Sequence, residues 1–119
     1  GAFTSTCSKL HLPGYVANAD KIKDKGIDNI FCLSVNDPFV MNAWGEANNA
    51  GGKIAMLSDP YLQFTKSIGA EVDRNSKGMG IRSNRYAMVI EKLEVLSIQV
   101  EKETKHCSLS SADSIFDIL

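Results

Sequence analysis

Two copies of one short signal constrain the fold of this chain more than any other feature. Asn36-Asp37-Pro38 and Ser58-Asp59-Pro60 each follow an apolar run and precede a helical pattern. In both, side-chain oxygens that can cap a helix stand before a proline, whose fixed φ and missing N–H suit a first helical turn. Ahead of the first signal, residues 27–35 carry Ile27, Ile30, Phe31, Cys32, Leu33 and Val35. So continuous an apolar run suits a strand buried on both faces. Ahead of the second, residues 53–57 read as a shorter strand. A strand feeding a helix twice in succession leads to an α/β fold.

The remaining segments extend that pattern. Residues 7–25 read as a helix, with Leu12, Tyr15, Val16, Ala19 and Ile22 near a 3.6-residue period and Gly26 as its stop. Pro13-Gly14 should kink this helix or split off its first turn. The second helix runs from Pro38 to Gly51-Gly52, and a short third spans residues 61–68 before Gly69. Residues 71–80 are polar and contain glycine, so they read as loop. Residues 86–90 and 95–100 are expected to form a hairpin around Glu91-Lys92-Leu93-Glu94, followed by a charged loop over residues 101–106. Ser110-Ser111-Ala112-Asp113 opens a last helix with Ile115, Phe116 and Leu119 on one face. The expectation is one domain over residues 1–119, a mixed sheet with helices on both faces. Trp44, Phe39, Phe31, Phe64 and Phe116 are its expected aromatic core.

Composition narrows the function. Thirteen Lys and Arg against fourteen Asp and Glu give a net charge of −1. That balance supplies no positive field for nucleic acid or an anionic membrane surface. No apolar run reaches the ~20 residues that span a bilayer. Three cysteines, Cys7, Cys32 and Cys107, make an odd count without a C-x-x-C pair. This argues against a disulfide scaffold and for a reducing, intracellular, cytoplasmic setting or for thiol chemistry. His11 and His106 lack zinc-ligand spacing with the cysteines, so neither metal nor another cofactor is expected.

Cys7 is the candidate reactive residue. It stands three residues after Thr4 at the mouth of the first helix. A free thiol near pKa 8.5 is only about 3% ionised at pH 7, and the thiolate is the nucleophile. A helix N-terminus and a nearby guanidinium are the available means of lowering that pKa. Arg85 and Arg82 both lie downstream, and their residue types alone do not rank them.

The stretch Gly1-Ala2-Phe3-Thr4-Ser5-Thr6-Cys7 resembles the active-site segment of the peroxiredoxins, Pro-x-x-x-Thr-x-x-Cys, whose leading proline would fall just before Gly1. Further blocks resemble the type II (atypical two-cysteine) subfamily in the same order. These are Ser8 to Gly14, Cys32-Leu33-Ser34-Val35-Asn36-Asp37-Pro38-Phe39-Val40, Trp44-Gly45, Gly78-Met79-Gly80-Ile81-Arg82-Ser83-Asn84-Arg85-Tyr86 and Cys107-Ser108-Leu109-Ser110. The resemblance implies a thioredoxin-like fold, here lacking the family's early hairpin and central strand. It also implies reduction of hydrogen peroxide and organic hydroperoxides.

The resemblance makes Cys7 the peroxidatic cysteine, oxidised to sulfenic acid. Thr4 would orient the thiolate and the peroxide, and Arg85 would stabilise both charges. Cys107 matches the resolving position of animal-type members, and Cys32, 25 residues after Cys7, that of plant-type members. Thioredoxin, or glutaredoxin with glutathione, is the implied reductant. Phe3 and Phe39 are candidates for an aromatic rim at the pocket and a homodimer face. Two other readings compete. One is a redox-sensing or interaction protein with an oxidisable thiol and little turnover. The other is a cysteine hydrolase pairing Cys7 with His11.

Overall fold

The computed structural model describes residues 1–119. A π-type turn, Cys7–His11, leads into α1 (Leu12–Asp24), β1 (Phe31–Ser34), α2 (Pro38–Ala47), β2 (Ala55–Ser58) and α3 (Gln63–Ser67). Then come β3 (Glu71–Asp73), a 3₁₀ turn at Asn75–Lys77, β4 (Ile81–Ser83), β5 (Tyr86–Glu91), β6 (Glu94–Val100) and α4 (Ala112–Ile118). Both aspartate–proline signals follow a strand, as the sequence reading requires. Asp37 accepts from Val40 N–H at 2.9 Å and caps α2. Asp59 reaches further, accepting from Phe64 N–H at 3.2 Å, Thr65 N–H at 2.8 Å and Thr65 Oγ1 at 2.6 Å. The helix it caps starts at Gln63 rather than Tyr61, because Leu62 takes a left-handed φ of 58°.

The first helix changes register where Pro13 interrupts it. Pro13 has no N–H to give Lys9 four residues back. The preceding turn instead closes with Leu12 N–H on Cys7 O, five residues apart. Such single π turns concentrate at functional sites. The expected split of the first turn is therefore present, as a π turn carrying Cys7.

The mixed sheet is realised as three two-stranded pieces. β1 and β2 pair in parallel, Cys32 opposite Met56. β3 pairs antiparallel with β4, and β5 antiparallel with β6. The first antiparallel pair corrects the reading of residues 71–80 as loop. Val72 stands opposite Arg82, and Arg74 N–H bonds Gly80 O at 2.7 Å to close the connection. Gly78 and Gly80, both at φ 71°, make that tight closure and gave the segment its loop-like composition. The β5–β6 hairpin turns on Lys92 and Leu93, both at positive φ.

The core lies between α1, α2 and the β1–β2 pair. Ala2, Cys7, Leu12, Met41, Trp44, Ala50 and Ile54 form one buried cluster, with Cys32 packed against it. Gly45 lets α2 approach β2 closely: a Cβ there would lie 2.7 Å from Met56 Cγ. The expected aromatic core reduces to Trp44. Phe39, Phe31 and Phe64 are exposed and Phe116 is half-buried. β1 likewise is not buried on both faces, since Phe31 is 58% exposed and only Ser34 of the strand is buried. β1 has a partner strand on one side only, so part of its apolar surface meets no neighbour.

Candidate active site

The π turn carries Cys7 into the core cluster, where its side chain is buried. Two side chains converge on the sulfur. Arg85 Nη2 lies 3.0 Å from Cys7 Sγ. The Thr4 hydroxyl also reaches the sulfur and helps to acidify it. Thr4 has one hydroxyl proton and a second acceptor for it, Gly1 O at 2.6 Å. Rotation about Cβ–Oγ1 switches the proton between carbonyl and sulfur. Burial by itself raises the thiol pKa. A positive charge close by and the bonds from Thr4 and Arg85 outweigh it and bring Cys7 down from 9.0 to about 7.

Arg85 is itself buried, at the head of β5. Its Nη1 donates to the carbonyls of Thr104 and His106, the latter at 2.7 Å. Its Nε is buried and has no acceptor in the protein. Arg82, the competing arginine, points elsewhere: its Nη2 bonds Asn36 Oδ1 at 3.3 Å.

Other contacts fix the entry to the site. Asn36 Oδ1 also accepts from Ala2 N–H at 2.9 Å and Ser34 Oγ at 2.8 Å, which ties the segment before Thr4 to the end of β1. Phe3, in that segment, has φ 60°, a strained conformation for an aromatic residue. Trp44 Nε1 donates to Ser8 Oγ at 2.9 Å and holds the residue after Cys7. Phe3 and Phe39 are 58% and 86% exposed. Asn36 and Ser8 lay inside the resembling blocks, but nothing in their residue types announced these bonds.

The other two cysteines differ in character. Cys32 is pushed up to about 12, chiefly by burial. Cys107 is half-buried and also raised, again chiefly by burial, while Arg85 pulls it the other way. It lies within electrostatic range of Cys7, Arg85 and Glu101. All three thiols are free in this structure. In the loop bearing Cys107, Lys102, Glu103, Lys105 and His106 are exposed, while Glu101 at its start is 4% exposed.

The pairing of Cys7 with His11 does not form. His11 Nε2 faces Ser110 O at 3.1 Å, so that nitrogen carries the proton. Burial, with Arg85 nearby, lowers His11 to about 4. The ring packs edge-on against Tyr15, whose hydroxyl also donates to Ser110 O. His11 is thus a neutral strut between α1 and the segment before α4. No group of three or more His, Cys, Asp or Glu residues is placed to hold a metal ion. No helix is long and apolar enough to cross a membrane.

Comparison with known proteins gives the family. The Redoxin family model matches residues 1–116. Peroxiredoxin-2D of Arabidopsis thaliana is 43% identical over 119 residues, covering all of this chain and 73% of that protein. The crystal structure of reduced Prx3 in complex with hydrogen peroxide, from Vibrio vulnificus, superposes with a TM-score of 0.92 at 48% identity. It covers 99% of this chain and 71% of that one. The oxidised form of Prx3 gives a TM-score of 0.89 at 50% identity, over 100% of this chain and 74% of that one. Some relatives are named as chloroplastic. A buried, acidified cysteine under an arginine, on a thioredoxin-like α/β scaffold matched along its whole length, places this chain in the peroxiredoxin family, type II: it is a thiol peroxidase.

Proposed function

We propose that Cys7 is the peroxidatic residue, with Thr4 and Arg85 as its catalytic partners. The Cys7 thiolate attacks the terminal oxygen of a hydroperoxide. The O–O bond breaks, the sulfur becomes a sulfenic acid, and the departing alkoxide or hydroxide takes up a proton. Thr4 gives its hydroxyl proton to the bound peroxide, and Arg85 meets the charge that builds on the leaving oxygen. One observation carries this reading: Arg85 Nη2 stands 3.0 Å from a sulfur whose pKa is about 7, while the adjoining Nε has no acceptor.

Cys107 is the proposed resolving thiol. Both are half-buried, and its nearness to Arg85 favours it over Cys32. A thiol held near 12 offers almost no thiolate at neutral pH. Thioredoxin, or glutaredoxin with glutathione, then reduces the disulfide. A reducing intracellular compartment, cytoplasmic or organellar, supplies such partners.

The test is a pH series of single-turnover oxidation by hydrogen peroxide. The rate should rise through a midpoint near 7 and level off above it, as the thiolate fraction does. Cys7→Ser should abolish the reaction, and Cys107→Ser should leave a persistent sulfenic acid. Parent-rate peroxide consumption by Cys7→Ser sinks the assignment. Steady turnover with thioredoxin or glutaredoxin separates an enzyme from a sensor that oxidises once.

A further inference from the structure

Glu101, the most heavily engaged carboxylate in the molecule, takes no part in that chemistry. It follows the end of β6, is buried, and faces no cation. Its oxygens accept from Ser108 N–H at 3.0 Å, Leu109 N–H at 3.2 Å and Ser110 N–H at 2.9 Å. The hydroxyls of Ser108 and Ser110 add bonds of 3.3 and 2.7 Å. A carboxylate leaves water only where donors replace it, and three consecutive amides do so here.

This nest grips the chain immediately after Cys107. The stretch immediately before is gripped as well. Arg85 Nη1 takes Thr104 O and His106 O, Thr6 Oγ1 takes Lys105 O at 3.3 Å, and Arg74 Nη2 donates to Thr104 Oγ1. Thr6 and Arg85 tie the upstream side to the Cys7 turn itself. Cys107 therefore sits between two clamps, and only the Glu101 clamp is free of the reacting sulfur.

We propose that Glu101 is a positioning residue that holds Cys107 beside Cys7 and so sets the rate of disulfide closure. This rests on reading Cys107 as the resolving thiol. In the step concerned, the Cys107 thiolate attacks Sγ of the Cys7 sulfenic acid. The S–S bond forms and the S–O bond breaks, and hydroxide leaves and takes up a proton as water. The oxidising equivalents are those of the peroxide already spent. Glu101 touches none of the reacting atoms. It contributes effective concentration, since a disulfide forms only when the two Cα atoms come within roughly 4.4–6.8 Å. Residues 102–107 with one end released would sample that range rarely.

The experiment compares the full chain with Glu101→Gln and Ser110→Ala. Glu101→Gln puts an amide NH₂ where backbone N–H groups must be accepted. Ser110→Ala removes one bond of the nest and also the hydroxyl's bond to the Cys107 thiol, so closure is compared at equal Cys107 thiolate fraction, set from an alkylation pH series. One equivalent of hydrogen peroxide is added by rapid mixing. The oxidation phase is followed by fluorescence of Trp44, the residue bonded to Ser8. Disulfide closure is followed by acid quench, alkylation and intact mass. Glu101→Gln should slow closure about tenfold or more, and Ser110→Ala about threefold, while sulfenic acid formation stays within about twofold of the parent. In a separate run with excess hydrogen peroxide, which supplies the second oxidising equivalent, sulfinic acid should accumulate in step with the delay.

Closure at the parent rate in Ser110→Ala, and in Glu101→Gln where it folds, overturns the proposal. So does a loss of oxidation rate equal to the loss of closure rate, which would mean general damage. A parent chain that forms no Cys7–Cys107 bond at all removes the resolving assignment instead, and with it this role for Glu101.

Discussion

Arg85 divides one guanidinium among three tasks. Nη2 faces the Cys7 sulfur, Nη1 grips the carbonyls of Thr104 and His106, and Nε waits in a buried space without an acceptor. A planar fork with a permanent charge can do this, and a lysine ammonium cannot. Arg85→Met should therefore slow oxidation of Cys7 by peroxide about 100-fold or more. It should also move the pH midpoint from about 7 back toward 9.0. Stopped-flow rates over a pH series measure both. Arg85→Lys should retain part of the acidity but little of the rate. At this scale, Cys7, Thr4 and Arg85 were legible because each bears a group with few alternative uses in a motif at fixed spacing. The choice of Arg85 over Arg82 came from the resemblance, and distance now explains it, since Arg82 is committed to Asn36. Glu101 gave no signal. A glutamate after an amphipathic strand reads as solvated, and only the fold shows that three amides replace its water.

Among the elements, both aspartate–proline signals were readable because a cap and a proline act within one turn of chain. Their energetic weights differ. Asp37 is exposed, whereas Asp59 is buried and holds α3 through two backbone N–H groups and the Thr65 hydroxyl. Asp59→Ala should cost roughly 2–3 kcal/mol, read as a shift in the urea midpoint. Burial raises the Asp59 pKa, but bonds from the Thr65 hydroxyl and the amides of Thr65, Phe64 and Gln63 more than offset that, so the folded value falls below 3.8. The unfolded chain then binds the proton more tightly. The stabilisation is complete above the unfolded value and is lost as pH falls through the folded one. Urea midpoints measured from pH 5 downward should show that loss in the parent and a shallower one in Asp59→Ala. The β3–β4 pair was missed for a reason of length. Three-residue strands carry too little alternation to outweigh Gly78 and Gly80, which belong to the turn between them. The burial of β1 was misjudged because an apolar run states what a strand can bury and not whether a neighbour is there.

The whole molecule exposes 7356 Å², about 1,000 Å² more than a compact monomer of 13.0 kDa presents. Part of the excess is apolar sheet: Phe31, Leu57, Ile90, Val95, Leu96 and Ile98 are all exposed, and β1 and β5 each have a partner on one side only. Unpaired strand edges with apolar side chains recruit other strands. Residues 1–119 alone should therefore associate as concentration rises from micromolar upward, and Phe31→Lys should reduce this. Light scattering across a dilution series provides the measurement, and a monodisperse monomer at all concentrations contradicts it. The site, by contrast, is drawn from segments far apart in sequence. Thr4 and Arg85 both reach Cys7, and Arg85 meets residues 104 and 106. None of these neighbours is close in sequence to all the others, so no local fragment can reproduce their convergence. Thiol acidity here is a collective property of the folded chain. A damaged copy reverts to an ordinary, sluggish mercaptan and does not turn into an indiscriminate nucleophile. The reagent is armed only while the polypeptide around it is intact.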